Sequence, residues 1–236
     1  MVSKIKIILK ISAICFLLVI TSSCDKSLKK VRDVDNNKYD VVKIGDQYWM
    51  KQNLRTVHYN DKTSIKTDME VDWENGTIGA YTIYKDDKYP NTTKNDLKYG
   101  KLYNWYAVNT GKLAPIGWHV ATKADWDILD NYLGHANAGN KLKAKYSWDY
   151  HINGVSTDET GFSALGGGIR SYGGETCWFM GQYANFWTLN SFANCINTNP
   201  TRKFPVSFGI SYHVPNITQL DCYKPNFGMS VRCVKD

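Results

Sequence analysis

The chain reads as an α+β domain with one or two early helices and many short antiparallel strands. One well-marked helix opens at Thr122, where Thr122 and Asp125 form a capping-box-like pair. Trp126, Leu129 and Leu133 then recur at helical spacing, and Gly134 supplies a C-terminal cap. After residue 160 the sequence breaks into short β-like runs separated by glycine. A little helix followed by many strands is the α+β pattern, not that of alternating βαβ units.

Taken in order, the elements begin with an export signal. Lys4, Lys6 and Lys10 precede an apolar run from Ile11 to Ile20, and Thr21-Ser22-Ser23-Cys24 follows. A basic start, a short apolar stretch and small residues before a cut make a signal peptide. The run is shorter than the roughly 20 apolar residues that span a bilayer. Cysteine directly after two serines is a lipoprotein acceptor pattern, so residues 1–23 are expected to leave and Cys24 to carry lipid. An ordinary cleaved signal or a short anchor is the alternative. Residues 24–40 mix charges without apolar periodicity and read as a flexible tether. Val41 to Ile44 and Gln47 to Met50, on either side of Gly45-Asp46, predict a hairpin. Residues 60–100 are polar and turn-rich, interrupted by a short strand at Gly79–Tyr84. A second short helix is expected from Ala138 to Lys145. Phe162–Leu165, Phe186–Leu189 and Val206–Val214 read as strands. So does Met229–Val234, whose alternation places Met229, Val231 and Cys233 on one face.

Loss of residues 1–23 removes three lysines and lowers the net charge from +7 to +4. So small an excess excludes nucleic-acid binding by charge. The eight tryptophans and sixteen tyrosines all lie beyond the signal. They are enough for a substantial core and for surface recognition as well. Cys177, Cys195, Cys222 and Cys233 remain in the last third. In an oxidising envelope they suggest two disulfides, with three possible connectivities, the alternative being free thiols or partial pairing.

Several strings resemble the Fibrobacter succinogenes major paralogous domain family. They are Trp49-Met50-Lys51-Gln52-Asn53-Leu54, Tyr99 to Val108, Gly117-Trp118-His119-Val120, Ala138 to Lys143, Thr160 to Leu165, Phe186-Trp187, and Ser230-Val231-Arg232-Cys233-Val234-Lys235-Asp236. The resemblance covers residues 41–236. It implies a C-type-lectin-like or formylglycine-generating-enzyme-like fold and an outer-membrane location. It departs at Thr82 and Ala114, where the family commonly has cysteine, and at Ala121 and Gly166, where it has proline.

Candidate chemistry is sparse. There is no Gly-x-Ser-x-Gly elbow, no His-Glu-x-x-His helix and no phosphate loop. The formylglycine-generating relatives use a close cysteine pair for copper and oxygen chemistry. The nearest pair here, Cys222 and Cys233, reads better as a hairpin disulfide. His119, in an aromatic string, reads as a hydrogen-bonded structural histidine. Asp158 and Glu159 are the candidate calcium ligands, although a solvated loop capping a turn is the preferred reading. Sugars stack on aromatic rings while polar neighbours read their hydroxyls. Trp73, Tyr89, Trp148, Tyr150 and Trp178, in polar loops, are therefore the candidate ligand-binding residues. Trp105, Trp118, Trp126 and Trp187 read as core. These observations favour a non-enzymatic surface module that binds glycan or protein. A structural or fimbria-like envelope subunit is the second reading, and an oxidase or hydrolase the third.

Overall fold

The computed structural model describes residues 28–85, 90–150, 155–173, 177–195 and 199–236. In chain order, β1 (Lys30–Arg32), β2 (Lys38–Ile44), β3 (Gln47–Met50), β4 (Lys66–Thr67) and β5 (Ala80–Ile83) precede helix α1 (Thr92–Tyr99). Then come β6 (Lys101–Tyr103), α2 (Trp105–Val108), β7 (Trp118–Val120), α3 (Lys123–Leu133) and α4 (Ala138–Leu142). The rest is strand: β8 (Gly167–Arg170), β9 (Cys177–Met180), β10 (Tyr183–Cys195), β11 (Asn199–Ser211), β12 (Ile217–Leu220) and β13 (Cys233–Lys235). They form a first sheet ordered β1-β2-β3-β13-β7, a second ordered β12-β11-β10-β8-β9, and a small third ordered β4-β5-β6.

The β2–β3 hairpin turns at Gly45-Asp46, with Ile44 opposite Gln47. Gly45 has a φ of 58°. A II′ turn needs positive φ at its first central residue, which glycine adopts without strain. α3 carries the expected capping box, with the Thr122 hydroxyl accepting from Asp125 N–H and the Asp125 carboxylate accepting from Thr122 N–H. It ends at Gly134 in the left-handed conformation.

The last strand, β13, enters between β3 and β7 and so ties the C-terminal end into the N-terminal sheet. Its alternation divides two cores. The strand expected from Met229 to Val234 begins only at Cys233, but Met229, Val231 and Cys233 do share one side, with Tyr39, Met50, Tyr103 and Trp187. Val234 joins Trp49, Trp126, Phe162, Phe186 and Phe208 on the other. There Trp126 stacks on Phe208 with ring centroids 5.3 Å apart and meets Trp49 edge-on at 5.2 Å. Trp105, Trp118, Trp126 and Trp187 are all buried, as expected.

Four of the recognisable strings meet in one buried network. The fully buried Arg232 guanidinium donates to the carbonyls of Met50 (2.8 Å), Phe162 (2.8 Å) and Ser163 (3.2 Å), and to Asn53 Oδ1 (2.6 Å). Asn53 Nδ2 in turn donates to the Tyr99 carbonyl and to Ser230 Oγ. A buried charge is tolerable only with such complete pairing. The string from Tyr99 also supplies a cap: Asn104 Oδ1 accepts from Ala107 N–H at the start of α2 and from Ala80 N–H.

Several expectations are corrected. The stretch 24–40 is not a tether throughout, because β1 and the start of β2 lie in its second half, paired at Lys30↔Asp40 and Val31↔Tyr39. Its charges are used inward: Asp33 is buried and accepts 2.6 Å from the Tyr39 hydroxyl. Among the described residues there are four helices, not one or two. α1 arises in the polar stretch, N-capped by Asn91, whose side chain accepts from Lys94 N–H. Its mostly polar residues give no apolar period to read. α4 stops at Leu142. Phe162–Leu165 is not a strand but makes a single bridge, Lys143↔Ala164. The disulfide joins Cys195 to Cys222, while Cys177 and Cys233 are buried free thiols. The hairpin pairing of Cys222 with Cys233 is therefore overturned, because Cys233 points into the core. Of the two bridges expected, one is formed.

Candidate functional site

The outer face of the second sheet carries a hollow that alternation builds. Tyr183 and Asn185 on β10 pair with Ser211 and Gly209 on β11, and Gly209 pairs with Thr218 on β12. The residues between them, Ala184, Phe186, Phe208, Ile210 and Ile217, point the other way into the core. One face of the same strands is thus fixed by packing, and the other is left to line a cavity of about 180 Å³.

Gly209 makes the hollow. A Cβ there would lie 2.9 Å from Leu220 Cδ1 and 3.1 Å from Asn185 Oδ1. Asn185 is only 3% exposed, yet its Oδ1 has no hydrogen-bond partner. Leaving a buried acceptor unpaired costs about 1–3 kcal/mol. A ligand hydroxyl or amide N–H in the cavity would recover it.

The walls are aromatic and braced. Tyr223 follows the Cys195–Cys222 disulfide, which ties the end of β10 to the segment after β12. Its ring meets Phe227 edge-on at 4.8 Å. Burial, with Tyr183 nearby, pushes the Tyr223 phenol up, so it remains a neutral donor. At the far end the Ser211 hydroxyl lies 2.6 Å from His213 Nδ1. Lys143 Nζ donates to the carbonyls of Ser211 (2.9 Å) and Val214 (3.4 Å). Burial lowers this lysine to about 8.

From this cavity an aromatic band runs to β9. Tyr183 meets Phe179 at 5.3 Å and His213 at 6.1 Å, and Phe179 meets Trp178 at 6.1 Å. Trp178 is 43% exposed and Phe179 46%. Phe179 holds a φ of 67°, a genuine outlier for a bulky residue. Strained residues of this kind cluster at functional sites.

Of the residues singled out from sequence, Trp178 belongs to this band. Trp73 does not act at the surface: it is 5% exposed, with the Arg170 guanidinium 4.0 Å over its ring. Trp148 packs against the second core and donates to the Ala164 carbonyl. Tyr150 is 90% exposed. Its neighbour Asp149 accepts from Gln182 and so docks that segment beside the turn before β10. Tyr89 lies outside the described residues, as does Cys24.

The calcium pair does not converge. Both Asp158 oxygens accept from Ser163, which caps a turn, and Glu159 is exposed. Among the described residues no group of three or more His, Cys, Asp or Glu side chains is placed to hold a metal. His119 is structural as expected, held between Asp125 (3.0 Å) and Asp236 (2.7 Å).

Sequence reasoning missed Asn185, Gly209, Tyr183 and Tyr223. The available signal was Asn185, a polar residue set between Ala184 and Phe186 in a strand-like run.

The cavity can accept and donate hydrogen bonds and stack apolar faces. The Ser211 hydroxyl and the His213 imidazole meet at one end of it. The scaffold is mixed and mostly β. Residues 42–235 match the Fibrobacter succinogenes major domain, and the chain belongs to that family. No curated protein and no solved structure matches it.

Proposed function

We propose that this protein is a non-enzymatic binding module that holds glycan on the outer face of its second sheet. The observation that carries this reading is the buried, unpartnered Asn185 amide oxygen at the floor of an aromatic-walled cavity. Saccharides supply what that site lacks: hydroxyl donors for the amide, and apolar ring faces for Tyr183, Tyr223 and the exposed Trp178. A cavity of about 180 Å³ holds one sugar unit, and the aromatic band extends the contact along a chain.

The scaffold reading is C-type-lectin-like, supported by the last strand closing the first sheet and by a second sheet that displays the loops. The lipoprotein signal at Cys24 supports attachment to the outer membrane, where such a module would act in adhesion. The cavity, not the fold, carries the functional reading. An array of diverse glycans, probed with the full chain, tests it: saturable binding to a subset is expected, and a silent array overturns the glycan reading. Protease shaving of intact cells tests display, with digestion before permeabilisation expected.

A further inference from the structure

A second cleft, of about 230 Å³, lies between β1 and the loops at residues 56–62 and 113–116. It is separate from the glycan cavity in both residues and chemistry. Arg32, His58, Asn60 and Lys62 line it on the polar side, and Pro115 and Ile116 on the other. Ile116 is 85% exposed.

The acids around this cleft are all consumed by internal donors. Asp33 accepts from the N–H groups of Asp35 and Asn37, from the Asn37 amide and from the Tyr39 hydroxyl. Asp35 accepts from the Thr56 hydroxyl and from the N–H groups of Val57 and His58. Asp61 is held by Lys112 at 2.9 Å and by Thr63. The cations are not consumed. Among the described residues neither Arg32 nor Lys62 has a carboxylate within ion-pair distance, and the Arg32 guanidinium donates only to the Asn36 carbonyl.

Two features shape this cleft. His58 Nδ1 lies 2.6 Å from Asp35 Oδ1. Nδ1 therefore carries the proton toward Asp35, and this contact holds the ring in the wall of the cleft. Lys62 adopts a φ of 71° at the tip of a turn closed by Lys62 N–H to the Tyr59 carbonyl and Tyr59 N–H to the Thr63 carbonyl, both 2.8 Å. A non-glycine residue held left-handed at a loop tip is the kind of strain that a binding site retains.

We infer that this cleft binds an oxyanion group, a carboxylate, sulfate or phosphate, through Arg32 and Lys62, with the apolar part of the ligand resting on Pro115 and Ile116. Arginine suits such a group because its fork matches two oxygens, and lysine adds a point charge. The group has two sources. One is a free anionic ligand. The other is a lipid headgroup, since β1 begins six residues after Cys24.

The test is calorimetric titration of the full chain, in neutral detergent, with inorganic phosphate and with sulfate. Saturable binding of at least one is expected. Arg32→Gln and Lys62→Gln, both at surface positions, should each weaken it roughly fivefold to tenfold, the loss of one charge-assisted contact. Lys98→Gln, on α1, should leave it unchanged. Absence of saturable binding overturns the proposal, as does equal weakening by Lys98→Gln. Short-chain phosphatidylglycerol displacing bound phosphate, with phosphatidylcholine inert, assigns the lipid source. Failure of both lipids to displace it assigns a free ligand.

Discussion

Replacing Arg232 by methionine should loosen the core around its buried network. The guanidinium makes four hydrogen bonds, to three carbonyls and to Asn53 Oδ1, at 2.6–3.2 Å. Methionine fills similar space and satisfies none of them. Each buried acceptor left unpaired costs about 1 kcal/mol or more, while the desolvation of the charge is relieved. No counter-charge is left behind, so four unpaired acceptors less the relieved desolvation give a net cost of about 3–5 kcal/mol. For a domain of this size that lowers Tm by about 6–20 °C. Lysine in its place keeps the charge but lacks the fork, so Arg232→Lys should lose roughly half as much. Urea unfolding followed by tryptophan fluorescence measures both. A loss below about 1 kcal/mol for Arg232→Met would refute the claim that this network holds the two cores together.

Other expectations follow from the same structure. Gly209→Ala places a methyl group against the Leu220 and Asn185 side chains. It should leave Tm nearly unchanged, because the Leu220 end can shift, and should abolish glycan binding in a titration. Trp178→Ala should likewise spare stability while weakening binding to longer glycans more than to single sugars. Reducing the Cys195–Cys222 bridge, which closes a 27-residue separation, should cost about 3.5 kcal/mol by loop entropy. It should also loosen Tyr223, read as lower affinity in the reduced protein. Asp125 first, and then Asp236, raise His119 to about 9 from 6.5. Protonated His119 therefore stabilises the fold fully below pH 6.5, and this contribution fades as pH rises to 9. Lys143, lowered to about 8, acts oppositely between pH 8 and its unfolded value of 10.5. The measurement is accordingly the difference in stability between wild type and His119→Gln, which should shrink across pH 6.5–9.

What the sequence revealed divides by physical cause. Local rules read well. The capping box at Thr122 and Asp125, the Gly45-Asp46 turn and the one-sided alternation of Met229, Val231 and Cys233 were legible because each is set by a few neighbouring residues. Long-range pairing was not. Cys222 finds Cys195 because β10 and the segment after β12 converge, and Cys233 is committed to the core; sequence spacing carries neither fact. Trp73 sat in a polar loop but is covered by Arg170, ninety-seven residues away. Asp33 and Asp35 looked like solvated charge, yet they organise β1 and the second cleft. The site was half legible: Trp178 was visible as a loop tryptophan. Asn185 and Gly209 gain their meaning only when three strands set them side by side.

The central claim is that the Asn185 cavity is where glycan binds. The most direct measurement takes the strongest hit from a glycan array and compares its affinity for wild type with that for Gly209→Ala, with Tm recorded for both. Saturable binding by wild type, lost in a variant of unchanged Tm, is the predicted result. Equal affinity in the two proteins would place the glycan elsewhere and contradict the account.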